Sequence, residues 1–431
     1  MKVLLVGGGG REHALAWSLA RGGHQVVCAP GNPGTVELGE NLPLGVSAVA
    51  ELLGYAQTHG VDLTVVGPER PLIHDAVVDR FRAAGQTIYG PTAAAARLEG
   101  SKAFTDEFLA RHGLSHKWFA VFDSPTPAKA YVRRQGAPLV VKADGDAFGK
   151  GVKVCATVAE AEDWVDRCLV QQEFGEAGRR VVVEQCLVGP ECSVQVFTDG
   201  ETVLPLVPAQ DYKRIGEGDT GPNTGGMGCY SPVPALNPEA LEYILTRLLG
   251  PTVEKMAEAG CPVTGTLYGG CILTDRGPEL LEYNCRFGDP ETQAVVPRLE
   301  SDLGEILQAA AEGRLGEVQP RWSAQCCVSV VVASGGYPGD YAQGREITGI
   351  GEAREAWALV FHAGTALQEG RLVTAGGRVL SVTGLGGSFA EARGVAYAGA
   401  ECIQFEGRYF RRDIAERAEQ AERAGVPGGG E

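Results

Sequence analysis

A short apolar strand runs straight into four glycines and then into a helical stretch at the start of this chain, and the same alternation continues for about a hundred residues. Residues 3–6 read as a buried strand, Gly7 to Gly10 as a tight turn and 12–20 as a helix. Residues 25–29 form the next apolar run, a helical pattern covers 48–58, and another strand follows at 61–66. Such β-α-β alternation predicts a doubly wound parallel sheet. An open sheet of that kind binds ligands at the carboxyl ends of its strands.

Three loops fall on that edge. Gly8 and Gly9 precede the first helix, where backbone amides hold phosphate and glycine lets a ligand come close. Gly31, Asn32, Pro33 and Gly34 follow the second strand, and Pro68 and Glu69 follow the 61–66 strand. A dinucleotide fingerprint needs a third glycine and an acid closing the second strand. Here Glu12 stands at the third glycine and the second strand ends Cys28-Ala29-Pro30. The loop therefore reads as a mononucleotide or sugar-phosphate type rather than a nicotinamide site. A plain strand–helix turn has the same composition.

Gly100 and Ser101 break the pattern, and Ser101 is a suitable N-cap for a helix starting at Lys102. Strands at 138–143, 152–156 and 179–184 flank a helix near 159–169. Residues 210–228 are polar and glycine-rich with no apolar period, which predicts a long functional loop. Helical sequence resumes at Glu239, strands return at 265–274 and 278–284, and a further unit starts near Gln325 with a buried strand at 327–333. We divide the chain into an N-terminal α/β domain (1–100), a central domain (101–322), a C-terminal domain (323–424) and a disordered tail (425–431).

Chemistry concentrates in three segments. Residues 142–151 read Lys-Ala-Asp-Gly-Asp-Ala-Phe-Gly-Lys-Gly. Lysines beside mobile glycine amides suit nucleotide phosphates; a hairpin with a solvated lysine is the other reading. Glu282 and Asn284 lie two apart on a strand and so share a face. Two such oxygens suit magnesium, which completes its shell with water and phosphate. A polar strand edge gives the same alternation, although Asn is disfavoured in strands. Arg286 continues the parity and has the fork to hold a carboxylate or phosphate. Finally, Asp211, Lys213 and Arg214 lead into the glycine-rich stretch, which reads as a substrate-closing element or as a solvated linker.

Composition excludes other classes. The formal net charge is −16, so the chain lacks the cationic field that nucleic acid or anionic lipid requires. The 12 cysteines include no C-x-x-C pair and no zinc spacing, and read as reduced, mostly buried thiols. No stretch approaches the roughly 20 apolar residues of a membrane span. The expected compartment is the cytoplasm.

In order along the chain, these segments resemble the ATP-grasp ligases and, within them, the phosphoribosylamine–glycine ligase family. The resemblance runs from Met1 to about Arg417. It rests on residues 9–14, 29–32, 66–69, 98–102, 142–145, 219–228, 284–292, 335–341 and 361–365. It implies an N-terminal parallel α/β domain, an ATP-grasp core of two α+β lobes around the nucleotide, and a C-terminal α+β domain. It implies ATP and Mg2+ (or Mn2+) as cofactors, glycine and phosphoribosylamine as substrates, and a monomer or weak homo-oligomer.

Roles follow by position. Lys102 and Lys142 match the lysines on ATP phosphates, and Gly145, Gly149, Lys150 and Gly151 match the loop over the β- and γ-phosphates. Glu184 ends the strand before the hinge, Cys186 and Leu187 meet the adenine edge, and Glu191 meets the ribose. Glu282 and Asn284 match the metal ligands. Gly8, Gly9 and the 31–34 loop should hold the ribose 5-phosphate. Asp211, Lys213 and Arg286 fall to the glycine and acyl-phosphate side. Asp146 and Phe148 depart from the small or apolar residues expected in the phosphate loop. Gln185 and Tyr212 stand where Glu and His are common, and Gly270 where many ATP-grasp enzymes carry another metal-binding Glu. The rival readings are a purine-pathway carboxylase, another carboxylate–amine ligase, a nicotinamide oxidoreductase and a non-catalytic nucleotide-binding module.

Overall fold

The computed structural model describes residues 1–145 and 151–425. The N-terminal sheet has five strands, all parallel, in the order Gly39–Asn41, Gln25–Pro30, Lys2–Gly7, Leu63–Val66, Ile88–Tyr89. Chain order reverses between Lys2–Gly7 and Leu63–Val66, so the loops after these two strands flank the switch point where such sheets bind ligands. The first helix, Gly10–Arg21, starts two residues earlier than the apolar pattern, because the last glycine of the run already belongs to it.

Two antiparallel sheets follow. Phe119–Phe122, Val181–Gln185, Leu139–Ala143 and Val152–Cys155 make the first, in that order. Its one face is covered by the helices Pro125–Gln135 and Val158–Leu169 through Ala128, Val132, Ala161 and Val165. The other face carries Lys142 and Glu184 towards a cleft. The second sheet orders Val203–Pro205, Glu191–Asp199, Thr264–Thr274 and Gly277–Asn284. The helix Lys102–Arg111 is capped as expected, the Ser101 side chain accepting from Phe104 N.

The C-terminal sheet is built partly from the middle of the chain. Its order is Gln210–Asp211, Gly228–Ser231, Cys326–Ala333, Arg378–Gly386, Leu359–His362. Phe389–Cys402 packs on it through Phe389, Ala392 and Ala396. One continuous apolar core runs from Val194 and Leu267 of the second antiparallel sheet to Val330 and Val382 of this one.

The 210–228 stretch is not the long irregular loop that its composition predicts. Arg214–Gly216 and Thr220–Asn223 form an antiparallel ribbon, turned at Gly218 and Asp219, both with positive φ. Its anchor is distant in sequence: fully buried Arg411 donates to Arg214 O and Asp219, Asp413 accepts from Gly218 N, and the Tyr409 hydroxyl donates to Ile215 O. Thr220–Asn223 is exposed throughout, so no apolar period marks it. The expected 425–431 tail lies outside the described residues except Gly425, and no helix among the described residues is long and apolar enough to cross a membrane.

Candidate active site

The cleft between the two antiparallel sheets gathers most of the charged residues singled out above. Lys142 and Glu184 are diagonal neighbours on adjacent strands of the first sheet, since Lys142 pairs with Val182. Lys142 Nζ lies 2.7 Å from Glu184 Oε1 and donates across the cleft to Leu281 O at 3.0 Å. That carbonyl is available because the Gly277–Asn284 strand is bulged: Gly270 pairs with Glu282 and Cys271 with Leu280, leaving Leu281 between ladder positions. The bulge also turns Leu280 and Tyr283 together into the core and leaves Glu282 and Asn284 on the cleft side.

Lys213 stands 3.2 Å from Glu191 and 3.7 Å from Glu282. Burial opposes ionisation of Glu282, but Lys213, Lys142, Lys102 and Arg286 outweigh it and hold the carboxyl below its usual range. Glu282 is thus an anion with 39% of its side chain still open to the cleft. Asp211 differs: burial, only partly offset by Lys213, pushes its carboxyl up to about 8. Lys102 donates to Gly145 O at 3.0 Å, and Gly151 O accepts from Ala143 N. Gly149, Lys150, Asp146 and Phe148 lie outside the described residues. Cys186 and Leu187 are half-buried on the link between the two sheets.

Glu282 and Asn284 supply hard oxygens of the type magnesium takes. A Cβ on Gly270, directly opposite Glu282, would sit 3.1 Å from Glu282 Cγ, so a side chain there would require the Glu282 side chain to shift. Among the described residues no cluster of three or more His, Cys, Asp or Glu is assembled for a metal. The donor set therefore fits a magnesium ion that draws its other ligands from water and phosphate oxygens.

The strand ends at Asn284, yet Arg286 folds back to donate to Asn284 Oδ1 at 3.3 Å. Its guanidinium also meets Glu99 at 3.0 Å and Glu69 at 3.3 Å. Glu69 belongs to the N-terminal loops, so Arg286 joins the two groups of candidate residues. Pro68 sets the start of the short Glu69–Ile73 helix.

The N-terminal loops are packed tightly. Gly9 N donates to Glu12 Oε2 at 2.7 Å, and the Glu12 carboxylate is paired with Arg11. A Cβ on Gly8 would lie 2.4 Å from Gly31 O, and one on Gly34 would strike His13 and His362. Asn32 is buried and its amide is fully used. Its Nδ2 donates to Gly8 O and His362 O, and its Oδ1 accepts from Gly34 N and Thr35 N. Half-buried Pro33 sits between.

Matches to known sequences follow the same division. The phosphoribosylglycinamide synthetase N domain matches residues 1–99, its ATP-grasp (A) domain 100–292 and its C domain 327–417. The phosphoribosylamine–glycine ligase of Vibrio cholerae is 50% identical over 429 residues, covering 98% of this chain and 100% of that protein. That of Escherichia coli is 50% identical over 428 residues, with the same coverage. The chain belongs to the phosphoribosylamine–glycine ligase family.

Among solved structures, the phosphoribosylamine–glycine ligase of Thermotoga maritima superposes with a TM-score of 0.83 at 34% identity, covering 96% of this chain and 100% of that one. The biotin carboxylase of Campylobacter jejuni, at 13% identity and a TM-score of 0.71, shares the fold. Family membership makes the chain an ATP-grasp ligase that uses ATP. The Tyr212 hydroxyl accepts from Ala415 N, and Arg411 lies over its ring.

Sequence reading missed several charged residues in and behind the cleft. Glu99 and Asp289 lie inside quoted motifs but carried no assigned role. Arg378 reaches Asp289 and Gly225 O and so ties the glycine-rich stretch to the C-terminal sheet. Lys117 had no local signal at all; it is a lone lysine in Ser115-His116-Lys117-Trp118.

Proposed function

We propose that this chain joins glycine to 5-phosphoribosylamine at the expense of ATP, passing through glycyl phosphate and giving glycinamide ribonucleotide, ADP and phosphate in purine synthesis. The observation that carries this reading is the convergence of Lys142, Lys213 and Arg286 on the Glu282–Asn284 strand end, in a chain 50% identical over its length to ligases named for that reaction.

A glycine carboxylate oxygen attacks the γ-phosphorus and ADP leaves. The neutral amine then attacks the carbonyl carbon, loses a proton, and phosphate departs with the carboxylate oxygen. Phosphoryl transfer needs chiefly alignment and charge neutralisation. Lys102, Lys142, Lys150 and the glycine amides at 145, 149 and 151 take the phosphates. Glu282 and Asn284 hold magnesium, or manganese, which neutralises phosphate charge when bound. Cys186, Leu187 and Glu191 receive the nucleoside, with Glu184 behind them. Arg286, Lys213 and Asp211 bind glycine and its acyl phosphate. The loops at Gly8, Gly9 and 31–34, with Pro68 and Glu69, receive the phosphoribosyl group. We assign it to the cytoplasm as a monomer or weak homo-oligomer, divided at about residues 100 and 322.

The test is ADP release with ATP, magnesium, glycine and freshly made phosphoribosylamine, each omitted in turn. Release that depends on glycine, with a hydroxamate formed when hydroxylamine replaces the amine, is the expected result. Release that depends on bicarbonate instead identifies a carboxylase.

A further inference from the structure

The first antiparallel sheet holds a row of buried charges that extends well behind the nucleotide cleft. Asp106 lies on the Lys102–Arg111 helix, and Lys117 two residues before the Phe119–Phe122 strand. Lys117 Nζ is 3.0 Å from Asp106 Oδ1 and 2.5 Å from Glu184 Oε2. The other oxygen of Glu184 holds Lys142 at 2.7 Å. Lys142 then reaches Leu281 O on the opposite sheet. Carboxylate and ammonium thus alternate from the helix to the strand that carries Glu282.

The order of charges matters. Glu184 is shared between two lysines, one on each oxygen, and the Lys117 side chain is only 1% exposed. Among the described residues, Glu184 and Leu281 O engage two of the three Lys142 protons. Without Lys117, both Glu184 oxygens and the Asp106 charge would act on Lys142 alone. Lys142 would be drawn back into the sheet, and the cleft would carry one more negative charge where phosphates must enter. Glu184 itself stays ionised: burial opposes this, but Lys142 and Lys117 together hold it down to about 2.

We propose that Lys117 is a positioning residue for ATP binding, holding Glu184 so that Lys142 is presented to the nucleotide phosphates. This rests on the reading that Lys142 contacts those phosphates. The Lys117 ammonium faces Asp106 and Glu184 behind the cleft, so it acts through Glu184.

The experiment is calorimetric titration of the full chain with ATP and magnesium in the absence of glycine, beside steady-state kinetics. Lys117→Met should raise the ATP Kd about tenfold and leave the KM for glycine within twofold. The double variant Asp106→Asn/Lys117→Met removes one charge of each sign and should recover most of that loss. A purely structural lysine would lower the melting temperature in the single variant and leave the ATP Kd alone. An ATP Kd within twofold of the parent for Lys117→Met, or a double variant no better than the single, overturns the proposal. If Lys117→Met does not fold, Lys117→Arg carries the test, since it keeps the charge but cannot repeat both short contacts. It should weaken ATP about threefold with no change for glycine, and unchanged ATP affinity overturns the proposal. Because binding is read without glycine or amine, a parent protein that binds ATP but shows no glycine-dependent ADP release contradicts the ligase reading and leaves this test standing.

Discussion

The N-terminal loops and the nucleotide cleft are both rich in glycine and charge, but they use them in opposite ways. In the loops Gly9 N and the Asn32 amide already have protein partners. Gly9 N goes to Glu12, the Asn32 amide uses both its nitrogen and its oxygen, and Gly8 lies against Gly31 O with no space between. In the cleft the charges are arranged but not exhausted: Glu282 remains open, and Lys213 is shared at 3.2 and 3.7 Å rather than tightly paired. A shape fixed in advance suits one sugar phosphate. Loosely held charge suits a nucleotide and a metal that arrive with charge of their own. Substitutions in the cleft should therefore cost activity with little stability, and substitutions in the loops should cost stability first.

The largest expected effect is at Glu282. Glu282→Ala should lower glycine-dependent ADP release by about 1,000-fold, which is about 4 kcal/mol of barrier. The fold should persist, because Lys213 keeps Glu191 at 3.2 Å. Turnover near the parent level at saturating magnesium would remove Glu282 from the metal site.

Gly8→Ala should act the other way round. The added methyl meets a backbone carbonyl at 2.4 Å, which cannot swing aside, so the two loops must part. Overpacking of this kind costs about 1–3 kcal/mol. Urea unfolding checks it, with Gly45→Ala as the control, since nothing lies within 4 Å of a Cβ there. Equal midpoints for the two variants would show that the loops are not the rigid partner in this comparison.

The contrast also marks what was legible in the sequence. The parallel sheet was readable because β-α-β alternation is local, and its three ligand-edge loops came with it. Glu282 and Asn284 were readable as an i, i+2 pair, but the bulge before them was not. Strict alternation from buried Leu280 would have turned both into the core, and only the pairing with the Thr264–Thr274 strand reveals the slip. The 214–223 ribbon was illegible because its anchors, Arg411 and Asp413, lie nearly 200 positions away. Lys117 was illegible for a similar reason: its partner Glu184 is 67 residues on, and a single lysine has no periodicity. Local pattern gives elements and loop chemistry, while charge networks form only when distant strands meet.

The smallest expected effect tests how closed the loop region is. His13 Nδ1 accepts from His362 N at 2.8 Å, and His362 Nδ1 lies 3.1 Å from Thr365 Oγ1. Burial, then the neighbouring His362 and Arg354, lowers His13 to about 3. Burial and Arg354, against Glu37, lower His362 to about 4. Both rings are therefore neutral in the folded protein, while an unfolded histidine titrates near 6.5. Between about pH 6.5 and pH 4 the unfolded chain binds protons that the folded chain refuses, so stability falls as pH falls through that window. Each histidine should contribute a loss of about 1 kcal/mol between pH 7 and pH 5.5. His13→Asn can place an amide oxygen where Nδ1 accepts and cannot be protonated. It should remain folded at pH 7 and lose about 1 kcal/mol less than the parent on acidification, read from urea midpoints at the two pH values. An identical loss in both proteins would mean that the His13 pocket admits water and a proton, and that the loop region is as open as the cleft.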